Sequence, residues 1–161
     1  MFPDTCSLIN LGNSGVLAPS LSRWGNAISI GPVVLGECGP VLVGQLHELQ
    51  QENIVSFYEE DGFPADRFLQ IQSECILGPG ETECITLAEH VSGAICCDDG
   101  KGRRVGSDIL GAAHVTGSIG LLRNLVACGE CSAGEAYAAY LLMIEGGGFL
   151  PRLEPEFFEP T

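Results

Sequence analysis

The chain has 161 residues, 45% hydrophobic and 17% charged, which is enough for one domain with a packed core, too few to expect two, and unlike a disordered or low-complexity chain. Its 21 acidic residues against 7 Lys plus Arg give a formal charge of −14, which argues against strong nonspecific binding to nucleic acid because such binding depends on phosphate neutralisation. The longest apolar stretches, Ala138 to Ile144 and Val41 to Leu46, are far shorter than the roughly 20 residues that cross a bilayer, and Met1-Phe2-Pro3-Asp4 shows no secretory signal pattern; no membrane association and a cytoplasmic location are expected.

Short apolar runs alternate with helix-like segments, the pattern of a parallel sheet covered by helices. A short strand is expected at Met1 to Pro3, then helices over Cys6 to Leu11 and Leu17 to Trp24. Gly25 leads into a strand at Ala27 to Ile30, and Gly31-Pro32 opens a helix at Val33, since Pro suits a first helical turn. Val41, Leu42, Leu46 and Leu49 line one face of an amphipathic helix over Val41 to Gln51. Glu59 to Phe63 with Pro64 reads as a loop and Ala65 to Glu74 as a helix.

In the second half, Gly78-Pro79-Gly80 breaks the chain and Ile85, Ala88 and Val91 mark a helix over Glu81 to Val91, ended by Gly93. Ala94 to Cys97 reads as a buried strand closed by Asp98-Asp99, and Gly100 to Ile109 as a turn and helix. His114 to Thr116 is a short strand, with helices over Ser118 to Ala127 and Ala133 to Glu145 and a stop at Gly146-Gly147-Gly148. Residues 1–150 form the domain, and the Pro- and Glu-rich tail 151–161 is expected on the surface or frayed.

An open parallel sheet binds ligands beyond the carboxyl ends of its strands, near the point where strand order reverses. Asp4 ends the first strand and Asp98-Asp99 end a later one, with Glu83 in a helical first turn and Glu37 near the end of a short segment within reach of the same edge. Gathered carboxylates are hard ligands suited to Mg²⁺ or Mn²⁺. Each acid also has a structural reading: Asp4 as a helix cap, Asp98-Asp99-Gly100 as a turn, and Glu81 and Glu83 as acids favoured at a helix start.

In order along the chain, Asp4-Thr5-Cys6-Ser7-Leu8-Ile9-Asn10-Leu11, Gly80-Glu81-Thr82-Glu83-Cys84-Ile85, Asp98-Asp99-Gly100-Lys101-Gly102-Arg103-Arg104 and Val115-Thr116-Gly117-Ser118-Ile119-Gly120-Leu121-Leu122 resemble the PIN-domain family. The resemblance is to a branch related to the VapC-type toxin ribonucleases of toxin–antitoxin pairs. It implies a three-layer α/β/α fold with a mostly parallel central sheet, and a metal-dependent endoribonuclease. Under it Asp4, Glu37, Glu83 and Asp99 match the catalytic acids, with Asp4, Glu83, Asp98 and Asp99 holding Mg²⁺ or Mn²⁺. Lys101, Arg103 and Arg104 would face the RNA backbone, and Thr116 and Ser118 would hydrogen-bond phosphate or a metal-bound water. The same resemblance implies a homodimer, to which Leu141, Leu142 and Met143 would contribute, and a basic antitoxin protein as partner. A noncatalytic PIN-fold module binding protein or RNA is the alternative.

Eight cysteines in a chain with an ample apolar core point to reduced, mostly buried thiols. Adjacent Cys96 and Cys97 are expected on opposite faces of a strand. Cys128-Gly129-Glu130-Cys131 is a lone CxxC without the second pair that a structural zinc needs. His47, His90 and His114 are scattered and pair with no evident nucleophile.

Overall fold

The structure, a computed structural model, describes residues 1–24, 27–59 and 61–160. Met1 and Phe2 open an apolar core, and their strand β1 (Phe2–Pro3) pairs in parallel with β4 (Ile95–Cys96), which pairs in parallel with β5 (Val115–Thr116). A second parallel ladder joins β2 (Ile28–Ile30) to β3 (Val55–Phe57). The Ser29 amide donates to the Met1 carbonyl at 2.9 Å, on the edge of β1 opposite the one whose Phe2 and Asp4 amides donate to Ala94 and Cys96. The spatial order is therefore β3-β2-β1-β4-β5, and it reverses direction between β1 and β4.

Nine helices cover this sheet among the described residues: α1 (Thr5–Asn13), α2 (Leu17–Ser22), α3 (Pro32–Glu37), α4 (Pro40–Gln51), α5 (Ala65–Cys75), α6 (Pro79–His90), α7 (Gly100–Leu110), α8 (Ser118–Ala127) and α9 (Ala133–Glu145). The buried helix α6 packs on β1 and β4 with α5 and α7 at its sides, while α1, α2, α8 and α9 pack together. This is the three-layer α/β/α arrangement with parallel strands that the sequence implied. Helices α3, α4 and α6 each start at a Gly-Pro pair, where the missing Pro amide costs nothing because first-turn amides lack intrahelical partners anyway. No helix among the described residues is long and apolar enough to cross a membrane.

Several expectations are corrected. Strand β3 was not read from the sequence. Val55 is buried, Ser56 exposed and Phe57 half-buried, and three residues are too few to show a period. Helix α6 begins at Pro79, not Glu81. Gly25, read as the link into β2, lies outside the described residues, as do Glu60 in the expected loop and Thr161 at the end of the tail. The tail does not fray throughout: Phe158 is only 1% exposed and packs against Tyr137 and Tyr140 of α9. The Tyr140 hydroxyl donates to the Pro151 carbonyl at 2.8 Å and accepts from the Leu153 amide at 3.1 Å.

The cysteines are all free, but only Cys84, Cys96 and Cys97 are buried, while Cys6 and Cys128 are exposed. Cys96 and Cys97 are both buried, because helices cover both faces of β4. In the segment expected to contribute to a dimer, Met143 is core, whereas Leu141 and Leu142 are exposed.

Candidate active site

Strand order reverses between β1 and β4, and in such a sheet the ligand cleft is expected beyond the carboxyl ends of those two strands; Asp4 follows β1, and Asp98 and Asp99 come one residue after β4. Asp4 follows β1 directly. Its amide donates to the Cys96 carbonyl at 2.8 Å, and its Oδ1 accepts from the Ser7 amide at 2.7 Å, capping α1. The cap uses one oxygen; Oδ2 is buried with no hydrogen-bond partner among the described residues, and the residue is 1% exposed. Burial pushes the Asp4 carboxyl above its ordinary range against the pull of Ser7 and Cys97, and the charge of Asp98 adds to the rise.

Asp98 and Asp99 follow β4 and cap two different helices. Asp98 Oδ1 accepts from the Ser118 amide at the start of α8 at 2.8 Å, and its Oδ2 accepts from Asn10 Nδ2 of α1 at 2.7 Å. Asp99 Oδ1 accepts from the Lys101 and Gly102 amides at 2.8 and 2.7 Å, capping α7. Positive helix ends therefore face this group of acids and offset part of its self-repulsion.

The Gly80-Glu81-Thr82-Glu83 turn explains itself residue by residue. A methyl group on Gly80 would fall 2.5 Å from Glu37 Oε2 and 3.3 Å from Thr5 Oγ1, so a glycine admits the Glu37 carboxylate there. Glu37, at the end of α3, accepts from Thr5 Oγ1 at 2.6 Å. Glu81 is half-buried and its carboxyl is pushed up, first by burial and then by the charge of Asp4, with Asp99 and Glu37 adding to the rise. Near the position of a methyl on Gly102, Glu81 Cγ at 3.3 Å and Asp99 Oδ1 at 3.6 Å meet Cys97 Sγ at 2.8 Å. The concentration of negative charge also registers on Cys6, whose thiol is pushed up to about 11 by burial and then by Asp4, Glu81, Asp98 and Asp99.

Glu83 takes the other direction. It is fully buried, and its Oε1 and Oε2 accept from the Val33 and Val34 amides at 2.9 Å each. Burial raises its carboxyl and those two amides oppose the rise. The structure thus brings Asp4, Glu37, Asp98 and Asp99 to one edge with Glu81, while both oxygens of Glu83 are committed to the N-terminus of α3. Glu81 was read only as a helix-start acid. Gly78, where a methyl would fall 2.3 Å from Glu81 Oε2, and Gly102, where one would fall 3.3 Å from its Cγ, carry the sequence signal of its close packing, but nothing local says which Glu of the turn meets the other acids.

Around the acids, Arg103 donates to the Cys97 carbonyl at 3.1 Å and Lys101 Nζ to the Ile76 carbonyl at 2.8 Å, while Arg104 is exposed. Thr116 Oγ1 lies 2.2 Å from where a methyl on Gly120 would stand. The Ser118 side chain is buried and its Oγ has no hydrogen-bond partner among the described residues. Among the described residues no three His, Cys, Asp or Glu side chains stand in an arrangement that could hold a metal ion as they are.

Carboxylates collected at the switch point of a parallel α/β sheet, with a basic helix start alongside, stand where such sheets bind their ligands. A family model described as a PIN domain matches residues 2–151, and the chain belongs to the PIN-domain family. No curated protein and no solved structure matches it.

Proposed function

We propose that the protein is a divalent-metal-dependent endoribonuclease, acting through Asp4, Glu81 and Asp99 with Glu37 at the rim and Asp98 beside them. The observation that carries the reading is Asp4 Oδ2, a buried carboxylate oxygen without a partner at the strand-order reversal. An unpartnered buried carboxylate is costly, and a cation supplies the missing interaction. Asp4 and its acidic neighbours are the hard oxygen donors that Mg²⁺ or Mn²⁺ requires. When bound, the ion would lower the pKa of an attacking water and stabilise charge on the leaving oxygen. Glu81, whose carboxyl is pushed above its ordinary range by burial and then by the charge of Asp4, would accept or return a proton. Lys101, Arg103 and Arg104 at the start of α7 would bind the substrate backbone, Arg103 after releasing the Cys97 carbonyl; the Thr116 hydroxyl would bind phosphate, whereas the Ser118 hydroxyl is fully buried and out of its reach.

In this reading the strongly negative chain is the toxin of a toxin–antitoxin pair whose partner is a basic protein. A groove of about 340 Å³ between α1 and α4, lined by Ile9, Gly12, Val41, Leu42 and Gln45 among others, offers that partner an apolar seat. Leu141 and Leu142, exposed on α9, would serve self-association.

The test is calorimetric titration of Mn²⁺ into wild type, Glu81→Gln and Asp99→Asn, with RNA cleavage measured on the same samples. Wild type should bind and cleave, and each variant should lose at least about tenfold in affinity, in line with the loss of a ligand or its support. The separation of the acids and the charge of −14 favour one second reading, a noncatalytic PIN-fold module. A wild type that neither binds Mn²⁺ nor cleaves RNA would establish that reading instead.

A further inference from the structure

We infer that Glu83 is a positioning residue that sets the place of Glu37, and not itself a metal ligand; this rests on the metal-site reading above. Glu83 is fully buried, and its two oxygens are both used, one on the Val33 amide and one on the Val34 amide, each at 2.9 Å. Those are first-turn amides of α3, which lack intrahelical partners. The bidentate carboxylate thus replaces the side-chain cap that α3 lacks, since Gly31 at its cap position offers none.

Helix α3 is only six residues long, and its one fully buried residue is Val34. At its far end Gly36 and Glu37 are exposed, so the place of Glu37 follows from how the rest of α3 is held against α1 and α6. Glu83 holds one end of this short rod, and the other end places the Glu37 carboxylate against Thr5 Oγ1 at 2.6 Å and over Gly80. Glu81 and Glu83 lie two residues apart on α6, about 200° around the helix axis. One turn of α6 therefore presents an acid to the cleft and an acid to α3.

The sequence carries a matching constraint. A methyl on Gly31 would fall 2.1 Å from Glu83 Oε2 and 2.3 Å from its Cδ. Gly31 has φ −73 and ψ 154, which any residue adopts, so its requirement for glycine is set by Glu83 and not by the backbone. Glu83 and Gly31 act as one device.

Glu83→Gln keeps one acceptor but turns an amide N–H₂ toward a backbone N–H. It is expected to speed hydrogen exchange across residues 31–38 of the metal-free protein, with exchange elsewhere unchanged. Gly31→Ala, which keeps the carboxylate group but drives it off the two amides, should do the same. Mn²⁺ affinity should fall about tenfold in Glu83→Gln, the scale of losing an outer-shell support. In a Glu37→Ala background the same substitution should change affinity less than about twofold, because residues acting through one another are non-additive. Unchanged exchange in both variants would overturn the inference whatever the metal does. A Glu83→Gln loss that persists in full without Glu37 would make Glu83 a direct ligand, overturning the inference while sparing the nuclease reading. A wild type without Mn²⁺ affinity would end both.

Discussion

Asn10 of α1 and Asp98 after β4, 88 residues apart in sequence, are joined by a 2.7 Å hydrogen bond from Nδ2 to Oδ2. With the Ser118 amide on Oδ1, both Asp98 oxygens have a donor, which distinguishes it from Asp4, whose Oδ2 has none. Asp98 thereby ties α1, β4 and α8 together at the floor of the cleft. Asn10→Ala should leave that carboxylate short of a donor and cost about 1–3 kcal/mol. Chemical denaturation should show a lower midpoint with an unchanged slope; an unchanged midpoint would mean that the bond adds nothing.

Asp4 links stability to pH. Burial raises its native carboxyl pKa, so the native state holds that proton more tightly than the unfolded chain does. The stabilisation is complete below the unfolded carboxyl value and disappears as pH rises through the raised native one. Glu81 and Glu83 are shifted in the same direction. Asp4→Asn keeps the α1 cap, since Asn and Asp cap about equally well, and removes the buried charge. Its melting temperature at pH 8 should exceed that of wild type by about 2–4 °C, equivalent to about 1 kcal/mol for a chain of this size, with the gap closing toward pH 4. Mn²⁺ should raise the wild-type value and leave the variant unmoved. A variant less stable than wild type at pH 8 would refute this account of Asp4.

The C-terminal segment contributes to the fold through Phe158. Its ring lies 5.8 Å from that of Tyr140 and 6.2 Å from that of Tyr137, and Arg123 of α8 sits 5.0 Å from the centroid of the neighbouring Phe157. Phe158→Ala should cost about 3–5 kcal/mol. A melting temperature within about 2 °C of wild type would show that α8 and α9 stand without it.

Much of this was legible because it is local. Gly31-Pro32 announces a helix start, the spacing of Leu42, Leu46 and Leu49 announces a buried helix face, although Val41, read on the same face, is 78% exposed, and the acids after β1 and β4 announce the cleft edge once a parallel sheet is assumed. Strand β3 was not legible, since a three-residue strand has no period to read. The tail lies mostly on the surface, as its Pro and Glu content suggests, while a single buried Phe ties it to the fold. The expectation of mostly buried thiols failed because cysteine's apolar character does not say which helix face it occupies.

By itself, then, the sequence determined the order of the helices and of every strand but β3, and the position of the acids along the chain, because periodicity, turn chemistry and strand ends are encoded within a few residues. Tertiary structure alone decided which acid does what. Glu81 and Glu83 share a helical first turn, yet one meets the charges of Asp4 and Asp99 while the other meets the bare amides of α3. That choice depends on what each side of α6 packs against, and the α3 amides lie 50 and 49 residues before Glu83 in the chain.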